Sequence, residues 1–415
     1  MKYILVILLL LCSVAHADTL NYYVDTGSDG DGDGTSTATS GENCAFASLF
    51  AAEAALDGID FTGDDIVIHC NRTNGGGVDT TACVIAGWTV GTITITQDDF
   101  PTETGIFDED AYYLGPTNGT ALTLQEAYVT CSHLQLSMTI TSNGIGINVD
   151  GTLGGGTTGI YITSCIVNAT CSGSGIGYGI RDADGDVVVS NCTITGWKSG
   201  SDTGFMGVRQ DCSVPHQMWI YNCTISDCYY GALETNNGVL RAYNCAVFNN
   251  DDDFNGLTVV SYCASDDGDA TDGTAVDISP GGTESTDWAA AFTSYATGDF
   301  SVKDTDSVLY HAGDTATPST DIIGTSWNDP ASIGAFEFVA SGGGTTNRPP
   351  SIIWISKDLQ DWAPLWKNEP AFLPWYMSQP NPTFAGAMRD TSIDPILRQR
   401  AWQVVSKYSQ LKGTL

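Results

Sequence analysis

Four segments, GIGINVD, YGIRDAD, MGVRQDC and GALETNN, set in register place Asn148, Arg181, Arg209 and Glu234 in one column, with Asp182, Asp184 and Asp211 beside it. An arginine fork grips a carboxylate through two parallel hydrogen bonds, and a neighbouring Asp or Glu can take or give a proton. The column therefore suits the binding, or the cleavage, of an acidic or neutral sugar chain; mutual neutralisation of charge is its plainer use. A second set, Asp29, Asp31 and Asp33 in DTGSDGDGDGT, alternates carboxylates as a calcium loop does, with Gly34 for the sharp turn. The match stops at the twelfth position, Ser40, where an EF-hand needs a bidentate Glu. Calcium is thus an optional staple for a tight turn, and no cofactor is required.

Other chemical signals are thin. His69, His133, His216 and His311 are scattered without metal-ligand spacing, and no Ser/His/Asp grouping stands out. The GGG runs beginning at Gly75 and Gly154 lack the Lys and Ser/Thr of a phosphate loop, so they read as turns. The catalytic residues of any enzyme reading stay unassigned.

What positions the column is an internal repeat. YITSCIV at Cys165, VVSNCTI at Cys192, WIYNCTI at Cys223, RAYNCAV at Cys245 and VVSYCAS at Cys263 align on their cysteines, with a looser AYVTCSH at Cys131. The spacings from Cys165 onward are 27, 31, 22 and 18 residues, and short β-rich runs alternate with Gly, Asn and Asp turns. A constant coil with loops of variable length gives such a pattern. Equivalent residues on stacked parallel coils lie about 4.8 Å apart, so Asn191, Asn222 and Asn244 should form a buried ladder of side-chain amides, and Cys165 through Cys263 a column of small apolar side chains. The sequons at Asn191 and Asn222 are then closed to glycosylation, whereas those at Asn71, Asn118 and Asn168 sit nearer turns. Disulfides are expected among cysteines off the column, such as Cys70 with Cys83.

These residues resemble the right-handed parallel β-helix proteins, the pectate-lyase-like group, whose repeats often read N-C-x-I followed by a G-I strand, as in SNCTITGWKSGSDTGFMGV here. The Asp/Gly loop followed by FASLFAAEAAL resembles that group's opening, and ASIGAFEF, residues 331–338, its closing strand. The resemblance implies an all-β fold: a right-handed single-stranded parallel β-helix (solenoid) with a small N-terminal capping helix and a C-terminal non-solenoid tail. It is weak for chemistry, because this architecture hosts lyases, hydrolases, tailspikes, adhesins and inert scaffolds alike. The Asn-Thr-Asp strand, Gly-His-Gly turn and Arg-x-Lys strand shared by polygalacturonase-like enzymes of this fold are absent.

The remaining sequence sets the boundaries. Residues 1–17, with one Lys, an apolar run and an Ala-x-Ala ending, read as a cleaved signal peptide, which implies a secreted or extracytoplasmic chain. Residues 18–60 then hold the first strand, the Asp/Gly loop and the capping helix, and 61–340 the β-helix. A Gly/Pro linker spans 341–350, and 351–415 form a Trp- and Pro-rich tail ending in a helix, dense enough in apolar residues to serve a protein partner. The chain holds 15 Lys and Arg against 49 Asp and Glu, a net charge of −34, and the tail is slightly basic, so the body is strongly acidic. That excludes nucleic acid as a partner, and no further segment reads as a membrane span. Three function classes remain: a secreted or surface-exposed β-helix that recognises a polysaccharide or cell-surface glycan without cleaving it; a polysaccharide lyase or glycoside hydrolase; and a structural adhesin or tailspike-type protein attached through its tail. The sequence leaves the choice between enzyme and non-enzyme open.

Overall fold

Inward side chains of one coil sit directly under those of the next, and three such columns define three faces. In the computed structural model, which describes residues 18–30, 32–73, 76–150, 159–200, 203–270, 272–279, 284–314 and 320–338, every coil strand pairs in parallel with its equivalent one coil away. The signal segment 1–17, the linker 341–350 and the tail 351–415 lie outside the described residues.

The first face stacks Thr19–Asp25, Asp60–Asn71, Thr89–Gln97, Val129–Ser132, Ile160–Thr163, Val187–Ser190, Gln217–Tyr221, Val239–Tyr243 and Val259–Ser261 in that order. The long strand Gln135–Asp150 serves two faces. Its first half pairs with Ile166–Cys171 and opens the second face, which continues through Thr193–Thr195, Thr224–Ser226, Ala246–Phe248, Ala264–Ser265 and Val276–Asp277. Its second half joins the third face, made with Cys83–Ile85, Thr117–Leu124, Gly177–Asp184, Phe205–Gln210, Tyr230–Glu234 and Asp252–Asn255.

Columns such as Ile95, Cys131, Ile162, Val189, Ile220 and Ala242 on the first face, and Leu122, Ile147, Ile180, Val208 and Ala232 on the third, fill the interior, with every one of these side chains fully buried. Burying each of the larger ones contributes about 1.5–3 kcal/mol.

One residue per coil turns the chain from the first face to the second. Ser164, Asn191, Asn222, Asn244 and Tyr262 have φ between +49° and +54°, the left-handed region that Asn tolerates better than most residues. The cysteine that follows points inward, and its Sγ donates to the carbonyl two residues back at 3.2–3.4 Å. Asn222 Nδ2 donates to Asn191 Oδ1 at 3.3 Å, while Asn244 turns its amide toward Asp314 instead, so the ladder is shorter than the sequence suggests. Asn191 and Asn222 are buried.

Three expectations are corrected. Cys131 is not a corner residue: it pairs with Ile95 and Ile162 in mid-strand, and the corner of its coil is His133, φ +54°, followed by Leu134. Cys70 and Cys83 are not joined, because they are separate buried thiols on the first and third faces; all twelve described cysteines are free. Residues 331–338 are not a closing strand, and the coils end at Val276–Asp277, well before 340. From the helix Glu284–Ala291 onward the chain doubles back as an outer layer on the second face. There Trp288, Phe292, Phe300, Ile322, Ile333 and Phe336 form an apolar cluster with Ala246, Phe248 and Ala264.

At the other end the helix Leu49–Leu56 buries Leu49, Ala52 and Leu56, and its N-cap Ser48 accepts from Ala51 N–H. The Asp/Gly loop beside it is a packed turn. A Cβ on Gly34, φ +73°, would lie 2.1 Å from the Phe46 ring, so only glycine fits.

A glycine column fixes the register of the third face. A Cβ on Gly146, Gly179 or Gly207 would stand 2.5–2.7 Å from the carbonyl oxygen of the glycine one coil on, and on Gly207 also 2.6 Å from Ile225 Cγ2. Gly207→Ala should therefore lower stability by about 1–3 kcal/mol, the usual cost of overpacking. Gly77→Ala, where a Cβ meets nothing within 4 Å, should change it by less than about 0.5 kcal/mol; chemical denaturation of the two variants checks the contrast.

Candidate functional site

The outer surface of the third face carries two columns, because strand side chains alternate between core and solvent. One runs Thr123, Asn148, Arg181, Arg209, Leu233 and Asn255; the other runs Ile145, Tyr178, Met206, Tyr230 and Asp252. Asn148, Arg181 and Arg209 thus stand together as expected. Glu234 does not: it pairs with Gln210, one residue out of the column, and Leu233 takes its place. The glycine contact between Gly207 and Gly231 sets this register, overriding the alignment of charges.

The arginines are already engaged. Arg181 Nη2 lies 3.0 Å from Asp211 Oδ2, and Arg209 Nη2 lies 3.1 Å from Asp211 Oδ1. Asp211 Oδ1 also accepts from Thr235 Oγ1 at 3.1 Å and Asn236 Nδ2 at 2.6 Å. Both guanidinium groups lie over the Tyr178 ring, 5.7 and 5.0 Å from its centroid, and Arg209 Nη1 donates to Tyr178 Oη at 2.5 Å. This is a neutralised, rigid patch; beneath its surface, among the described residues, the buried Nε–H groups of Arg181 and Arg209 and the buried acceptor Asn148 Oδ1 have no hydrogen-bond partner.

The carboxylates divide by role. Glu234 accepts from the N–H groups of Leu240 and Thr258 at 2.7 and 3.0 Å, so it closes a turn. Asp184 binds His216 Nε2 at 3.1 Å, with Asp186 on the other ring nitrogen at 3.5 Å. Asp182 points inward between Val149 and Gln210 and is wholly buried, with Cys212, Gln210 and the Gly185 backbone as its polar neighbours. Burial pushes its carboxyl up to about 7. Tyr178, His216 and Asp186 belong to this neighbourhood and were missed. Tyr178 lies three residues before Arg181 in YGIR, a spacing that becomes a shared outer face only through the glycine between them; His216 and Asp186 come from turns of unequal length and leave no periodic signal.

The calcium loop is used locally as far as it is described. Asp33 Oδ1 accepts from Thr35 N–H and Oγ1 at 3.0 and 2.6 Å, and Asp29 Oδ1 accepts from Cys44 Sγ at 3.1 Å; Asp31 lies outside the described residues. A different group has the compactness a cation needs: the carboxylates of Asp252, Asp267 and Asp269 lie within 4.8 Å of one another at the last coils.

The strand pairing on three faces decides the architecture. The chain is a parallel β-helix. No family model and no curated protein matches it. A solved structure similar to it is titled "Crystal structure of pectate lyase Pel9A", 14% identical over 79% of this β-helix chain and 98% of that one, with a TM-score of 0.35. Among the described residues no helix of the β-helix chain is long and apolar enough to cross a membrane.

The buried acid gives a signed prediction. Unfolded, Asp182 ionises near pH 4; folded, it holds its proton to about 7. The folded state therefore binds more protons between those values, and stability falls as pH rises from about 4 to about 7, by at most about 4 kcal/mol at about 1.4 kcal/mol per pH unit. Asp182→Asn should leave the melting temperature near the parent's at pH 4 and gain on it steadily up to pH 8. Parallel melting curves across that range would remove Asp182 as the cause.

Proposed function

We propose that this β-helix binds a polysaccharide along its third face and does not cleave it. The observation that carries the reading is the shared carboxylate: Asp211 bridges Arg181 and Arg209, which quenches the pair as an anion trap and fixes both side chains on the outer face. Coils repeat every 4.8 Å or so, and the partly exposed side chains of Arg181 and Arg209 offer a polymer guanidinium donors on two successive coils. General acid–base catalysis needs a positioned group free to exchange a proton. Here Asp211 is saturated with donors, Glu234 is locked in its turn and Asp182 is sealed inside.

The ligand class fits the surface charge. With 49 Asp and Glu against 15 Lys and Arg, the chain repels polyanions, so nucleic acids are poor partners and sugar chains of low charge are good ones. Secretion through residues 1–17 would bring such a chain into contact with extracellular glycans. Attachment of a protein partner through 351–415 would add anchoring without altering the face.

Arg209→Ala should lower retention on at least one immobilised polysaccharide by about fivefold, equivalent to the roughly 1 kcal/mol of a single hydrogen bond. Prolonged incubation of the parent with the same panel should release no new reducing or unsaturated ends. New ends that vanish in Asp211→Asn would establish an enzyme instead, and unchanged retention in both Arg181→Ala and Arg209→Ala would make the column structural only.

A further inference from the structure

A second surface departs from the acidic character of the body. On the second face the outward columns run Ile166, Thr193, Thr224, Ala246, Ala264 and Asn168, Thr195, Ser226, Phe248. From Thr224 onward the outer layer covers them, with Ala335 N–H donating to Thr224 Oγ1 at 3.0 Å and Phe248 packed in the apolar cluster. Over Asn168 and Thr195 that cover is incomplete. The loop of residues 101–110 closes from the other side, and a cleft of about 240 Å³ is left between loop and layer.

Its chemistry is specific. The floor is Ile166, Asn168, Thr193 and Thr195, and the two sides present Phe107 from the loop and Phe300 from the layer. Both rings are fixed before any ligand arrives: Phe107 meets Tyr113 edge to face at 5.1 Å, and Phe300 packs against Phe248 at 5.9 Å and Phe292 at 5.8 Å. Among the described residues no charged side chain lines the cleft, in a chain with 49 Asp and Glu. Asn168 Oδ1 is buried and without a hydrogen-bond partner among the described residues. An open depression next to it, sharing Ile106 and Phe107, is lined by Asp108, Glu109 and Asp110, so anions are repelled at its edge.

The volume lies below the roughly 300–1,000 Å³ of pockets that hold drug-sized ligands, so the occupant is a single small unit. It must offer apolar C–H faces to two aromatic rings and hydroxyls to threonine and asparagine oxygens, and carry no charge. We propose that this cleft binds one neutral pyranose ring, the terminal unit of a glycan. It lies on a different face from the Arg181–Arg209 column and stands or falls separately from it.

The test titrates the full chain with D-glucose, D-galactose, D-mannose and N-acetyl-D-glucosamine, and with D-galacturonate as the charged control, by saturation-transfer NMR. At least one neutral sugar should bind saturably and galacturonate should not. Thr195→Trp, which fills the floor, and Phe107→Ala, which removes one wall, should each weaken that binding by about tenfold or more. Should Thr195→Trp fail to fold, Thr195→Val keeps the shape, removes the hydroxyl and carries the same expectation of weakened binding. The proposal is overturned if no neutral sugar binds, if galacturonate binds equally well, or if folded cleft variants bind as the parent does.

Discussion

From His133 to Tyr262 the solenoid depends on a single backbone conformation repeated once per coil. A residue with φ near +50° turns the chain from the first face to the second, and its own N–H reaches the next coil: Asn191 donates to Tyr221 O and Asn222 to Tyr243 O, both at 3.0 Å. Were the corner one residue longer, every inward side chain after it would face solvent, since side-chain direction alternates along a strand. The cysteine that follows suits the inside of so tight a bend. It is small and apolar, and its weak S–H donor finds a carbonyl two residues back.

That constraint also explains what could be read beforehand. The corner needs a residue that accepts the left-handed region and then a small buried one, so Asn-Cys recurs and the coils can be counted from it. Where another pair meets the same need, as His133 and Leu134 do, the signal is lost and the nearby Cys131 misleads. The outer layer left a trace in Thr193, Thr224, Ala246 and Ala264, outward residues small enough to be covered. Small side chains do not say what covers them, so the end of the coils was placed too late.

The candidate site was legible in part for a related reason. Asn148, Arg181 and Arg209 follow the same short interval after glycine in INVD, IRDAD and VRQDC, and strand pairing turns that interval into a column. Glu234 was drawn in by its charge, although the glycines in MGVR and YGAL point to Leu233. The partners contributed by turns, namely Asp186, His216, Thr235 and Asn236, belong to loops of different length. Their meeting is a property of the fold in three dimensions. Asp182 shows the converse: it reads as one more surface acid in a chain full of them, yet its strand position turns it into the core.

The outer layer has a bearing on how the molecule comes apart. A stack of coils touching only nearest neighbours unfolds as a one-dimensional array, able to fray from an end one repeat at a time. Here Ala335 reaches Thr224 across 111 residues, Thr320 reaches Asn191 across 129, and Asp314 and Gly334 clasp Asn244. These ties span the corners of several successive coils, so the last coils cannot loosen singly while the layer holds. Such ties are expected to make that part of the array unfold as a single cooperative block, and the long loops that must close before the block forms add an entropic cost to its assembly.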